Sequence, residues 1–146
     1  MTILSDFFIA TGEEYRAFDV ATSPALSLPT VLGHGVDGVK VLYLESIVEG
    51  SFEEDPLQYE RARIAWLGWE QYPCSLQLNR SLTWRLAEAD DAEVEQWATA
   101  WASVEGWNAH GVTPERVAEM LKGIAWLARQ TVGTCRGMYV WLCEGA

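Results

Sequence analysis

Only two histidines, His34 and His110, are available for imidazole chemistry, and each stands beside a glycine. A metal centre needs three or four ligands converging on one point. His34 with Asp37, joined by His110 or Cys74, could supply such a set after folding. No ligand spacing in the sequence requires it, and a histidine in a glycine-rich segment is more often a turn or surface residue. No metal and no cofactor is therefore expected. A nucleophile–base pair would draw on the same two imidazoles, with Cys74 after Pro73 as the thiol. The plainer reading is that Cys74 opens a strand and packs as a small apolar side chain. No G-x-S-x-G occurs, which argues against a nucleophile elbow.

The segment Gly33-His34-Gly35-Val36-Asp37-Gly38 has the glycines of a phosphate loop before a helix. It lacks the lysine and hydroxyl residue of that motif, and Asp37 would repel a phosphate. Backbone freedom at a tight turn into the helix explains it better. Carboxylates are plentiful: Glu53, Glu54 and Asp55 stand in a row, and Asp90 with Asp91 makes a pair. Neighbouring acids in loops are usually solvated charge or helix caps. Acid–base catalysis needs a burial that shifts their pKa values, and nothing in the sequence points to such a setting. No catalytic residue is assigned.

The chain has 146 residues and a net charge of −11. Phosphate contacts need clustered Lys and Arg, so nucleic-acid and anionic-membrane binding are disfavoured. Residues 1–60 hold 11 acids and only Arg16 and Lys40 as bases; residues 61–146 hold 10 acids and eight bases. Between Glu45 and Glu60 lie six acids and no base: Glu45, Glu49, Glu53, Glu54, Asp55 and Glu60. This is either a solvated face or a surface that steers a basic protein partner. Three cysteines without a close pair argue against a disulfide framework and fit a reducing compartment. The N-terminus lacks the charge and apolar run of a signal peptide, and no stretch is long and apolar enough to span a membrane. The cytoplasm is the expected location.

Eight tryptophans remain to be placed. Trp97 and Trp101 fall at helical spacing and read as core. Trp126 borders the core positions Ile124 and Leu127, and Trp141 alternates with Tyr139 on the last strand. In WLGWEQYP, residues 66–73, Trp66 is expected to face inward while Trp69 and Tyr72 cover the core edge. The competing reading makes Trp69 and Tyr72 an exposed aromatic patch of the kind found at interfaces.

The elements that must position these groups are legible from caps and periodicity. Ile3 to Ala10 reads as a strand, and Thr11-x-x-Glu14 as a capping box opening a helix whose apolar side carries Tyr15 and Phe18. Ser23-Pro24 and Pro29 mark a loop. Asp37 is the expected N-cap of a helix running to about Glu49, with Gly50 just past its end, apolar on nearly all sides and hence central. The stretch 61–67 is short and apolar, ambiguous between strand and helix. Residues 74–78 alternate as a strand. Asn79 and then Asp90 or Asp91 cap two helices, reaching Ala89 and Glu105. Thr113, Pro114 and Glu115 open the strongest helix, with Val117, Met120, Leu121, Ile124, Leu127 and Ala128 inward. Met138 to Cys143 is a final strand, and Cys135 and Cys143 read as core. The expectation is one α+β domain, residues 1–146, with a small mixed sheet that contains the N- and C-terminal strands and about five helices.

The strand SDFFIATGEE, the glycine-led helix GVDGVKVLYLESIVEG, and the closing helix and strand TPERVAEMLKGIAWLARQ and GMYVWLC together resemble small bacterial proteins of the YfbM-like family. These pieces cover under half of the chain. The resemblance implies an α+β fold and carries no established activity, cofactor or site residue.

The functional expectation is a non-enzymatic protein that binds a basic protein partner through Glu45, Glu49, Glu53, Glu54, Asp55 and Glu60, with Trp69 and Tyr72 as apolar anchors. One form of this is a small acidic blocker of a basic toxin, an immunity or antitoxin role. The alternative is a small-molecule binder or enzyme with a pocket lined by His34, Trp66 and His110. A third option is a homo-oligomer that uses the same aromatics.

Overall fold

The computed structural model describes residues 2–50, 72–104, 106, 107 and 111–145. Thr11 ends the first strand, β1 (Thr2–Thr11), and caps the first helix, α1 (Gly12–Ala17). Both halves of the capping box form: Glu14 N–H donates to Thr11 Oγ1, and Thr11 N–H donates to Glu14 Oε1. A short 3-10 turn (Pro24–Leu26) leads into β2 (Thr30–His34). Asp37 then caps α2 (Gly38–Glu49) by accepting from Lys40 N–H, and Gly50 ends it at φ 78°. After β3 (Cys74–Gln77), Asn79 caps α3 (Arg80–Glu88). Asp90 caps α4 (Asp91–Ala102) in a second complete capping box. Thr113 caps α5 (Pro114–Arg129), and β4 (Arg136–Gly145) closes the described chain.

This is an α+β fold: the described residues form one four-stranded sheet in the order β2-β1-β4-β3, with five helices. The terminal strands β1 and β4 lie at its centre and pair from Thr2↔Gly145 to Thr11↔Arg136. All three pairings are antiparallel, so the sheet is not mixed. The reason is that β1 to β2 and β3 to β4 each return at the end of the sheet they left.

The two-residue alternation sorts the central strands into two faces. Ile3, Phe7, Ile9, Met138, Val140 and Leu142 point into the main core, beneath α2, α3, α4 and α5. Phe8, Ala10, Tyr139 and Trp141 point the other way, where Tyr15, Phe18 and Leu28 cover them. Tyr15 stacks on Tyr139 at 4.0 Å between ring centroids. Trp141 Nε1–H donates to the Val20 carbonyl and holds the loop after α1 over this second core. All six inward positions expected on α5 are buried, and α2 buries residues on nearly every side.

Two further expectations fail. Residues 30–34 form strand β2, so His34 ends a strand and does not sit in a loop. The strand is short, lies on the edge and contains a glycine, features that hide its pattern. Gly33 is there for space: a Cβ on it would lie 2.3 Å from the Ser5 carbonyl oxygen of β1. Cys135 is exposed, not core, because the chain is still turning there after α5 (Gly133 has φ 74°) before β4 begins. Cys143 is partly buried and packs on the second core.

Candidate functional site

Helix α2 sends charge in two opposite directions. Its C-terminal half carries Glu45 and Glu49, one turn apart on the same side. Glu45 is half-buried and Glu49 exposed. Burial pushes the Glu45 carboxyl above its ordinary value, the Glu49 charge adds to this, and a hydrogen bond with the Asn79 side chain opposes it. Among the described residues, neither carboxylate forms an ion pair with a lysine or arginine. Among the described residues, the ion pair seen for an acid of the first 50 residues is Asp37 with Lys40, which opens the same helix. Two like charges at this spacing cost a helix about 0.2–0.5 kcal/mol, so the pair is not there for local stability.

The N-terminal half of α2 sends Lys40 inward, a feature the sequence reading passed over. Its side chain is 3% exposed, and its ammonium is 3.4 Å from Asp37 Oδ2 and lies over the Trp107 ring at 5.1 Å from the centroid. Trp101 Nε1–H donates to the Lys40 carbonyl, and Trp107 Nε1–H donates to the Trp101 carbonyl. The two indoles meet edge to face. Burial lowers the Lys40 pKa below 10.5, opposed by the Asp37 charge and hydrogen bond. An amine so enclosed suits a structural pin between α2 and α4. The available signal was a single base in an otherwise apolar helix, three residues after its own acidic cap.

The residues of the alternative pocket are only partly described. His34 lines a cleft of about 350 Å³ with Arg116, Met120 and Gly111. Its backbone N–H points to Met120 Sδ at 3.5 Å. Cys74 is not its partner: β2 and β3 are the opposite edges of the sheet, three strand spacings apart, about 14 Å. Cys74 instead packs, partly buried, against the main core. Among the described residues no group of three His, Cys, Asp or Glu is placed to hold a metal ion. Tyr72 is partly buried and packs on the edge of the main core. Glu53, Glu54, Asp55, Glu60, Trp66, Trp69 and His110, together with the ambiguous stretch 61–67, lie outside the described residues.

No helix among the described residues is long and apolar enough to cross a membrane. No protein-family model, curated protein or solved structure matches this chain.

Proposed function

We propose that this protein binds a basic protein partner through the acidic end of α2 and the segment that follows it. The observation that carries the reading is the pair Glu45 and Glu49, which has no ion-pair partner among the described residues, at the point where the chain enters a run of four further acids, Glu53, Glu54, Asp55 and Glu60. A carboxylate kept half-buried beside another carboxylate gains from an arriving cation. A basic partner supplies that cation, and long-range attraction speeds the encounter. Tyr72 at the core edge and Trp69 would add apolar anchor area beside the charge. Inhibition of a basic toxin is one role with this chemistry.

Retention of a basic protein from a lysate of the native cells at low ionic strength tests this. It should be lost at high ionic strength and in the double variant Glu45→Lys/Glu49→Lys. Equal retention by the variant removes the reading.

A second reading rests on the cleft beside His34. With Arg116 and Met120 it has an imidazole, a cation and a soft apolar wall, a set suited to a small polar molecule. A ligand-induced rise in melting temperature that vanishes in His34→Ala would favour it.

A further inference from the structure

Helix α3, the turn between α5 and β4, and the start of β4 enclose a cleft of about 740 Å³. This is within the range typical of small-molecule sites, roughly 300–1,000 Å³. Its lining includes Arg80, Trp84, Arg136, Gln77, Cys135 and Tyr139, and no aspartate or glutamate among the described residues. In a chain of net charge −11 that is an unusual local balance.

Arg80 and Trp84 lie at i and i+4 on α3, so they share a face. Trp84 is 67% exposed, although an indole of this size normally finds cover. Arg136 enters from the first position of β4. A third guanidinium borders the site: Arg16 Nη1 is 3.5 Å from where a Cβ on the lining residue Gly12 would lie. Among the described residues, none of the three arginines forms an ion pair within 4.0 Å. Arg136 is near enough to Glu14 to stabilise its charge, but that carboxylate is already held by Thr11. The guanidinium is a planar fork that grips carboxylate or phosphate through two parallel hydrogen bonds. An exposed indole one turn away offers a flat face for a ring.

We propose that this cleft binds a small organic anion carrying a flat ring, the anionic group held by Arg80 and Arg136 and the ring laid against Trp84. The shared chemistry is a ring with a carboxylate or a phosphate monoester. The site is distinct from both the acidic end of α2 and the His34 cleft.

Cys135 lines the cleft and is exposed, so its alkylation by iodoacetamide, read by peptide mass mapping, reports occupancy. The probes are adenosine 5′-monophosphate, indole-3-carboxylate, adenosine and inorganic phosphate, each added to the full chain. At least one ring-bearing anion should slow Cys135 alkylation, and adenosine and inorganic phosphate should do so far less. Protection by the monophosphate alone identifies a phosphate ligand, and protection by the carboxylate alone identifies a carboxylate ligand. The double variant Arg80→Gln/Arg136→Gln, whose changes are both on exposed side chains, should weaken the protecting probe about tenfold or more. Trp84→Ala should weaken the ring-bearing probes and leave inorganic phosphate unchanged. An unchanged melting temperature in each variant shows that the fold survives. The proposal is overturned if no probe protects Cys135, if adenosine protects as well as its monophosphate, or if the arginine variant is protected as well as the parent.

Discussion

Asp6 is a carboxylate that the fold has taken out of water. It sits on central strand β1, 6% exposed, and accepts from Ser23 Oγ at 2.8 Å. Burial raises its pKa above 3.8, and the bonds from Ser23 and the Gly33 N–H only partly offset this. The folded state therefore holds the Asp6 proton more tightly than the unfolded chain does. Its contribution is fully favourable below pH 3.8 and is lost as pH rises through the folded value. Asp6→Asn should raise stability at neutral pH and remove this part of the acid-side dependence, measured by urea unfolding at several pH values. Lys40 has the opposite sign. Its folded pKa lies below 10.5, so between that value and 10.5 the unfolded chain binds more protons and stability rises with pH. Below that window the full cost of burying the ammonium applies. Lys40→Met should be at least as stable as the parent at neutral pH and should lose the alkaline rise. A loss of more than about 3 kcal/mol would instead show that Asp37 and the Trp107 face outweigh desolvation.

At the scale of elements, the sheet depends on one close approach. A methyl at Gly33 would press on the Ser5 carbonyl and on Met120 Sδ of α5, with little freedom to move away. Gly33→Ala should cost about 1–3 kcal/mol in chemical denaturation, by displacing edge strand β2 from β1. A stability within about 0.5 kcal/mol of the parent would mean that the edge is loosely held. Helices were legible because their caps are local. Thr11, Asp37, Asn79, Asp90 and Thr113 each bind an amide two or three residues on, and that chemistry is written in the adjacent sequence. Strand β2 was not legible, because its pairing with β1 depends on a distant partner and its five residues include a glycine. The same reasoning separates the sites. Glu45 and Glu49 sit one turn apart on a helix that periodicity reveals. Arg80 and Arg136, by contrast, are brought to one cleft only by tertiary packing. Lys40 was missed because periodicity alone gives no reason to place a lone base inside.

Taken as a whole, the molecule separates its charges. The negative excess belongs mainly to residues 1–60, and in the described structure Glu45 and Glu49 of that set carry no cationic partner. Three of the later arginines do not neutralise them; Arg80 and Arg136 line their own cleft and Arg129 donates to the Ala89 carbonyl. Reversing charge at Glu45 and Glu49 breaks no ion pair among the described residues; it gives up the Glu45 hydrogen bond with the Asn79 side chain but should relieve the repulsion that helps lift the Glu45 pKa. The melting temperature of Glu45→Lys/Glu49→Lys is expected to equal or exceed that of the parent. Zero-length carbodiimide crosslinking in a native lysate, which joins carboxylates only to amines in direct contact, tests the partner claim most directly. The account predicts links from Glu49, Glu45 and the acids of residues 53–60 to lysines of one basic protein. Links spread evenly over the carboxylates of the whole chain, or confined to acids outside residues 45–60, would contradict it.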